Sequence, residues 1–173
     1  MEFKLFEAIS VLERTPRTLR ELLLGLSENW TNQNEGGETW SPFDVLGHLI
    51  HGERTDWVIR THIILGDGDK HFELFDRFAQ FEESKGKKLE ELLSEFAKIR
   101  ALNLEELSSL NISETDLDRT GIHPEFGDIT LRQLLAAWVA HDLGHIAQIS
   151  RVMAKQYKKE AGPWPKYIAV LTK

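Results

Sequence analysis

Between Thr130 and Lys159 the chain sets its core-type side chains at steps of three and four, and nothing else in the sequence constrains the fold as strongly. Leu134, Trp138, His141, His145, Ile149 and Val152 form one stripe, because residues at this spacing lie one above another on a single helix face. Thr130-Leu131-Arg132-Gln133 reads as a capping box that opens the helix. Gly162-Pro163-Trp164-Pro165 stops the pattern behind it. The spacing therefore predicts a helix from Thr130 to about Lys159, and a stripe of that length must be buried against other elements.

Partner helices are readable upstream. Ser41-Pro42-Phe43-Asp44 combines a capping serine, a proline suited to the first helical position and an acid in the first turn. Helix is predicted from Pro42 to about Leu65, ending at Gly66-Asp67-Gly68-Asp69. Leu89, Leu92, Leu93, Phe96, Ile99 and Leu104 predict a third helix from about Lys88 to Leu110. Phe3, Phe6, Ile9 and Leu12 predict a shorter one over 3–14, and Thr15-Pro16 reads as the cap and first turn of a segment running to about Leu26. Asn29 to Thr39 is a loop with Gly36-Gly37, and 70–86 is irregular, its Phe72, Leu74, Phe75, Phe78 and Phe81 expected to pack. In the connection from Asn111 to Thr130, Ile122-His123 and Asp128-Ile129 suggest a short hairpin around Pro124 and Gly127. Four long helical stretches without a strand series predict an all-α fold, an antiparallel four-helix bundle, as one domain over residues 1–173.

Composition removes several functions. A net charge of −7 argues against nucleic acid as a partner, since a surface that neutralises phosphates needs basic patches. The densest cations, Lys155, Lys158 and Lys159, fall where they complement the dipole at a helix end. No apolar run approaches the roughly 18 residues of a membrane span. The N-terminal Met1-Glu2-Phe3-Lys4-Leu5-Phe6-Glu7 reads as a helix start and not an export signal. The chain has no cysteine, which suits a cytoplasmic protein and means that any thiol chemistry needs an external thiol.

Seven histidines remain to be placed. His141 and His145 lie on the apolar stripe, where an unpaired polar group costs roughly 2 kcal/mol or more. Stacked four apart, with Gly144 allowing another helix to approach, they either hold a metal ion between them or are hydrogen-bonded core residues; the spacing leaves both open. On the Pro42 helix, His48 shares a register with Val45, Gly52, Ile59 and Ile63, so it is expected to face inward, with Gly47 and Gly52 permitting close packing. His51 and His62 fall on the more polar strip with Asp44 and Thr55 and are expected to face solvent. His71 is expected on the surface, and His123 reads first as a turn residue before Pro124, with a position over the mouth of a site as the alternative.

Thr39-Trp40-Ser41-Pro42-Phe43-Asp44-Val45-Leu46-Gly47-His48-Leu49 and His141-Asp142-Leu143-Gly144-His145-Ile146-Ala147-Gln148-Ile149 closely resemble the DinB-like, or YfiT-like, metal-binding four-helix bundles. The intervening segment from His123 to Leu131 and the later Gly162-Pro163-Trp164 match as well, so the resemblance spans most of the chain. It implies that His48, His141 and His145 ligate a metal, and that the protein is a homodimer. Relatives with known reactions include thiol-dependent transferases that use bacillithiol or mycothiol and members described as metal-dependent hydrolases.

Three neutral imidazoles suit zinc or nickel first, with manganese, cobalt or ferrous iron also accepted, and leave coordination positions for a reactant. Gln148 is a candidate to orient a ligand or reactant, Asp142 to accept a proton from a ligand imidazole, and Glu53 to act as a base if it turns inward. The expected activity is S-transfer from a low-molecular-weight thiol to an electrophilic small molecule. Metal-dependent hydrolysis at the same site is the alternative, and a non-catalytic metal-binding stress or interaction bundle is a third.

Overall fold

Two capping boxes start the helices that carry the candidate ligands. In the computed structural model, which describes residues 1–172, the amide of Asp44 donates to Ser41 Oγ at 3.2 Å and the amide of Ser41 to Asp44 Oδ2 at 2.9 Å. Thr130 and Gln133 repeat the exchange at 3.2 and 2.8 Å. These reciprocal bonds satisfy amides that a first helical turn otherwise leaves unpaired.

The helices in chain order are α1 (Leu5–Leu12), α2 (Arg14–Leu23), α3 (Glu28–Thr31), α4 (Pro42–Thr55), α5 (Trp57–Leu65), α6 (Ala79–Glu83), α7 (Leu89–Ser109) and α8 (Leu131–Gln156). The bundle is four-helical in its long stretches: α1 with α2, α4 with α5, α7 and α8 pack on one another. The predicted hairpin is present as β1 (Thr120–His123) and β2 (Gly127–Thr130), antiparallel, with His123 opposite Gly127. Phe72, on the segment before α6, donates its amide to Ile122 O at 2.9 Å and tethers that segment to the hairpin.

The core has two apolar ends. One gathers Leu12, Trp57, Ile64, Leu104, Leu134 and Trp138; the other gathers Leu19, Leu49, Leu93, Phe96 and Ile149. Between them each long stretch contributes a buried polar residue: Thr15, Glu53, Arg100 and Asp142.

Several expectations need correction. The helix predicted from Pro42 to Leu65 is two helices, because Asp56 leaves helical geometry at φ −117° and ψ −84°. Thr55 precedes the break and returns its hydroxyl to His51 O at 2.8 Å, a local bond that bends helices. The break rotates the register, so Ile59, expected inward with His48, is 49% exposed. His51, expected in solvent, is 5% exposed: α6 covers this face and Glu83 Oε1 stands 2.8 Å from His51 Nδ1. Gly47 does permit close approach, since a Cβ there would collide with Ser84 Oγ. Gly144 does not, because nothing lies near its Cβ position. Thr15 is buried within α2 instead of capping it, and the predicted loop after residue 29 begins with the short α3. Of the aromatic and apolar residues expected to pack in 70–86, Phe72 is buried but Leu74 and Phe78 are exposed.

Candidate metal centre

The imidazoles of α4 and α8 meet where the two helices face each other. His48 Nε2 lies 3.1 Å from His141 Nε2, and His145 Nε2 lies 3.0 Å from the same atom. The three residues form the one group of three or more histidine or acidic side chains, among the described residues, placed to hold a metal ion. Two imidazole nitrogens about 2.1 Å from a shared ion and roughly 90–110° apart would stand about 3.0–3.4 Å from each other. The separations fit that arrangement.

A single proton serves these two contacts less well than an ion would. His145 Nδ1 donates to Gln148 Oε1 at 2.8 Å, which leaves a bare lone pair on Nε2 of the neutral ring. His141 Nε2 must then carry the hydrogen for its contact with His145, and that single hydrogen would have to be shared with His48 Nε2 as well. One shared cation satisfies both contacts at once. Burial, reinforced by the neighbouring imidazoles, depresses the pKa of His48 to about 3 and that of His145 to about 4. Both rings are therefore neutral near pH 7, the form a metal requires.

The triad forms part of the wall of an open cavity of ≈ 590 Å³. Aromatic rings frame it: Trp40 lies 4.9 Å from the His48 ring, Phe75 5.5 Å from the same ring, and Trp57 5.1 Å from the His141 ring. His123 also lines the cavity, stacked at 4.5 Å on the exposed Phe126 of the hairpin. His123 therefore takes both expected positions: it lines the cavity, and its Nδ1 accepts from the Glu125 amide at 3.1 Å within the turn. Cations and acids pair along the wall, with Arg151 holding Glu35 at 2.7 Å and Arg60 holding Asp56 at 2.8 Å, while Arg77 lies over Trp40.

Asp56 escaped the sequence reading. The break between α4 and α5 turns it into the cavity wall, where burial raises its pKa against the pull of Arg60. No local signal other than Thr55-Asp56 marks the break.

The remaining candidates separate. Gln148 touches both His145 and the cavity, so it fixes the tautomer of the His145 ring. Glu53 does turn inward, but away from the cavity. Its Oε1 accepts from Arg100 Nη2 at 2.7 Å and Trp138 Nε1 at 3.1 Å, and its Oε2 accepts from Asn103 at 2.9 Å. A carboxylate so committed has no role as a base for a cavity reactant. Asp142 accepts from Arg100 Nη1 at 2.6 Å and stands 3.9 Å from His141 Nδ1, too far for the hydrogen bond expected of it. His62 and His71 stay outside, paired with Glu106 and Asp69.

A family model described as the DinB superfamily matches residues 11–149. No curated protein is significantly similar in sequence. Among solved structures, YfiT from Bacillus subtilis, described as a probable metal-dependent hydrolase with an unusual four-helix bundle topology, superposes with a TM-score of 0.74 at 20% identity, covering 91% of this chain and 87% of that one. At that identity the likeness shows the fold.

Proposed function

The chain belongs to the DinB superfamily, and from that premise we propose that it is a metal-dependent enzyme transferring a small external thiol to an electrophilic small molecule. The observation that carries the reading is the meeting of three imidazole nitrogens, 3.0 and 3.1 Å apart, in the wall of an open cavity. His48, His141 and His145 would hold the ion, with zinc or nickel favoured by ligand type and affinity order and manganese, cobalt or iron also fitting. A divalent ion there supplies Lewis acidity that favours the deprotonated form of a thiol or water.

The chain's own groups supply the rest. Gln148 holds His145 in the tautomer that presents Nε2. Trp40, Phe75 and Trp57 give the cavity apolar walls that seat a small organic body and exclude water beside the imidazoles. The chain has no cysteine, so the thiol comes from outside. Asp56, buried in the same wall, takes the proton released from the nucleophile.

Asp56 also favours a second reading, hydrolysis, because water needs a proton acceptor more than a thiol does. Zinc- or nickel-loaded protein, incubated with bacillithiol, mycothiol or glutathione and a generic electrophile, separates the two. S-transfer predicts thiol consumption well above that of His48→Ala. Turnover of esters or amides without any thiol would select hydrolysis, and no turnover above His48→Ala in either assay would sink both. The homodimer implied by the resemblance is tested by light scattering of the eluted protein.

A further inference from the structure

The layer between the two apolar ends of the core is unbalanced in charge. Among the described residues, the buried carboxylates are Glu53, Asp56 and Asp142, and the buried guanidiniums are Arg60 and Arg100. Asp56 and Arg60 pair with each other. Glu53 and Asp142 share Arg100 alone, with side-chain exposures of 0% for each acid and 2% for the arginine. Both terminal nitrogens of the arginine are used: Nη1 reaches Leu12 O at 2.9 Å and Asp142 Oδ2 at 2.6 Å, while Nη2 reaches Glu53 Oε1 at 2.7 Å and Asp142 Oδ1 at 3.2 Å; only Nε, buried as well, is without a partner. Counted formally, one negative charge is left without a buried partner.

That excess sits directly behind the imidazole cluster. Asp142 Oδ1 is 3.9 Å from Nδ1 of His141, an atom that is itself buried without a hydrogen-bond partner. A second route passes through rings: Glu53 holds Trp138 Nε1, Trp138 stacks on Trp57 at 5.7 Å and 7°, and Trp57 meets the His141 ring edge-on. The cluster opens to the cavity on one side, and the carboxylates lie in a low-dielectric interior on the other. Electrostatic interaction across such an interior is screened far less than at a surface.

We infer that Glu53 and Asp142 are positioning residues for the metal, whose buried excess negative charge a cation at His48, His141 and His145 balances. This rests on the three-histidine reading above and deepens it, by assigning part of the site's affinity to a carboxylate that touches no ligand. Glu53 acts by charge through the protein interior, and Asp142 by charge at the back of the His141 ring.

The test is metal affinity, measured by chelator competition with zinc and separately with nickel, together with the melting temperature of each variant with and without metal. Glu53→Gln removes the excess charge at nearly constant shape and is expected to weaken affinity about tenfold, in the range usual for outer partners of a metal ligand. The metal-induced rise in melting temperature should shrink in step, a difference that cancels the variant's own folding cost. Asn103→Ala removes a hydrogen bond to Glu53 without changing charge, and should shift affinity less than about threefold. If Glu53→Gln does not fold, Asp142→Asn carries the same expectation. An affinity within twofold of the unaltered chain for the neutralised variant would overturn the inference, as would an equal loss in Asn103→Ala. Failure of the unaltered chain to bind either metal would instead overturn the three-histidine reading.

Discussion

His141 and Asp142 are consecutive on α8, yet they belong to opposite kinds of environment. His141 keeps 26% of its side chain accessible and meets two other imidazoles at the cavity wall, while Asp142 is fully sealed against Arg100. One hundred degrees of helical rotation separates a region whose polar atoms are left for a ligand from one whose polar atoms are nearly all taken by the protein. The sealed layer pairs its polar atoms to hold the fold, while the open one leaves imidazole nitrogens free to take a ligand. The sharpest exception is the single negative charge that the sealed layer leaves over.

The largest expected effect lies in the sealed region. Arg100→Leu leaves two carboxylates buried without their cation, and should cost roughly 3–5 kcal/mol, since breaking a buried pair strands a charge. Denaturant unfolding of the metal-free protein measures it. A loss below about 1 kcal/mol would erase the distinction between the two regions.

His141→Ala probes the other side of the same helix. It should abolish stoichiometric metal binding, by elemental analysis of untagged protein, while changing the stability of the metal-free fold by only about 1 kcal/mol. Full metal retention would remove the triad.

Acid separates the regions next. His48 and His145 titrate in the folded chain at about 3 and about 4, below the ordinary 6.5. Above pH 6.5 neither the folded nor the unfolded chain is protonated there, and these rings contribute no pH dependence. As pH falls from 6.5 towards these folded values, the unfolded chain takes up protons that the folded one refuses. Stability of the metal-free protein should then fall, on the order of a few kcal/mol for the two rings together. Asp142 adds loss only at lower pH, because burial raises its pKa but His141 and Arg100 more than offset this and hold it below the usual carboxylate value. The slope between pH 6.5 and 4 should flatten in His48→Gln, and an unchanged slope would assign the acid sensitivity elsewhere.

The smallest effect is expected at Gln148. Gln148→Ala frees His145 to change tautomer and should weaken metal affinity about tenfold with little change in metal-free stability. Affinity equal to that of the unaltered chain would mean that packing alone holds the ring.

The sequence by itself determined the bundle, both capping boxes, the hairpin and the inward stripe of α8, because periodicity and cap chemistry act between residues a few positions apart. His48 was chosen over His51 and His62 by register within one turn of a well-capped helix, where register is still reliable. Past Asp56 it is not: the helix breaks without glycine or proline, and Ile59 turns outward. Spacing alone sends His51 to solvent because what covers it is α6, a five-residue helix with no readable stripe. Only the tertiary structure decided that Glu53 faces Arg100 and that Asp56 faces the cavity. A carboxylate's role is set by which distant cation or imidazole shares its low-dielectric surroundings, and that partner lies 47 positions away for Glu53, beyond anything local spacing encodes.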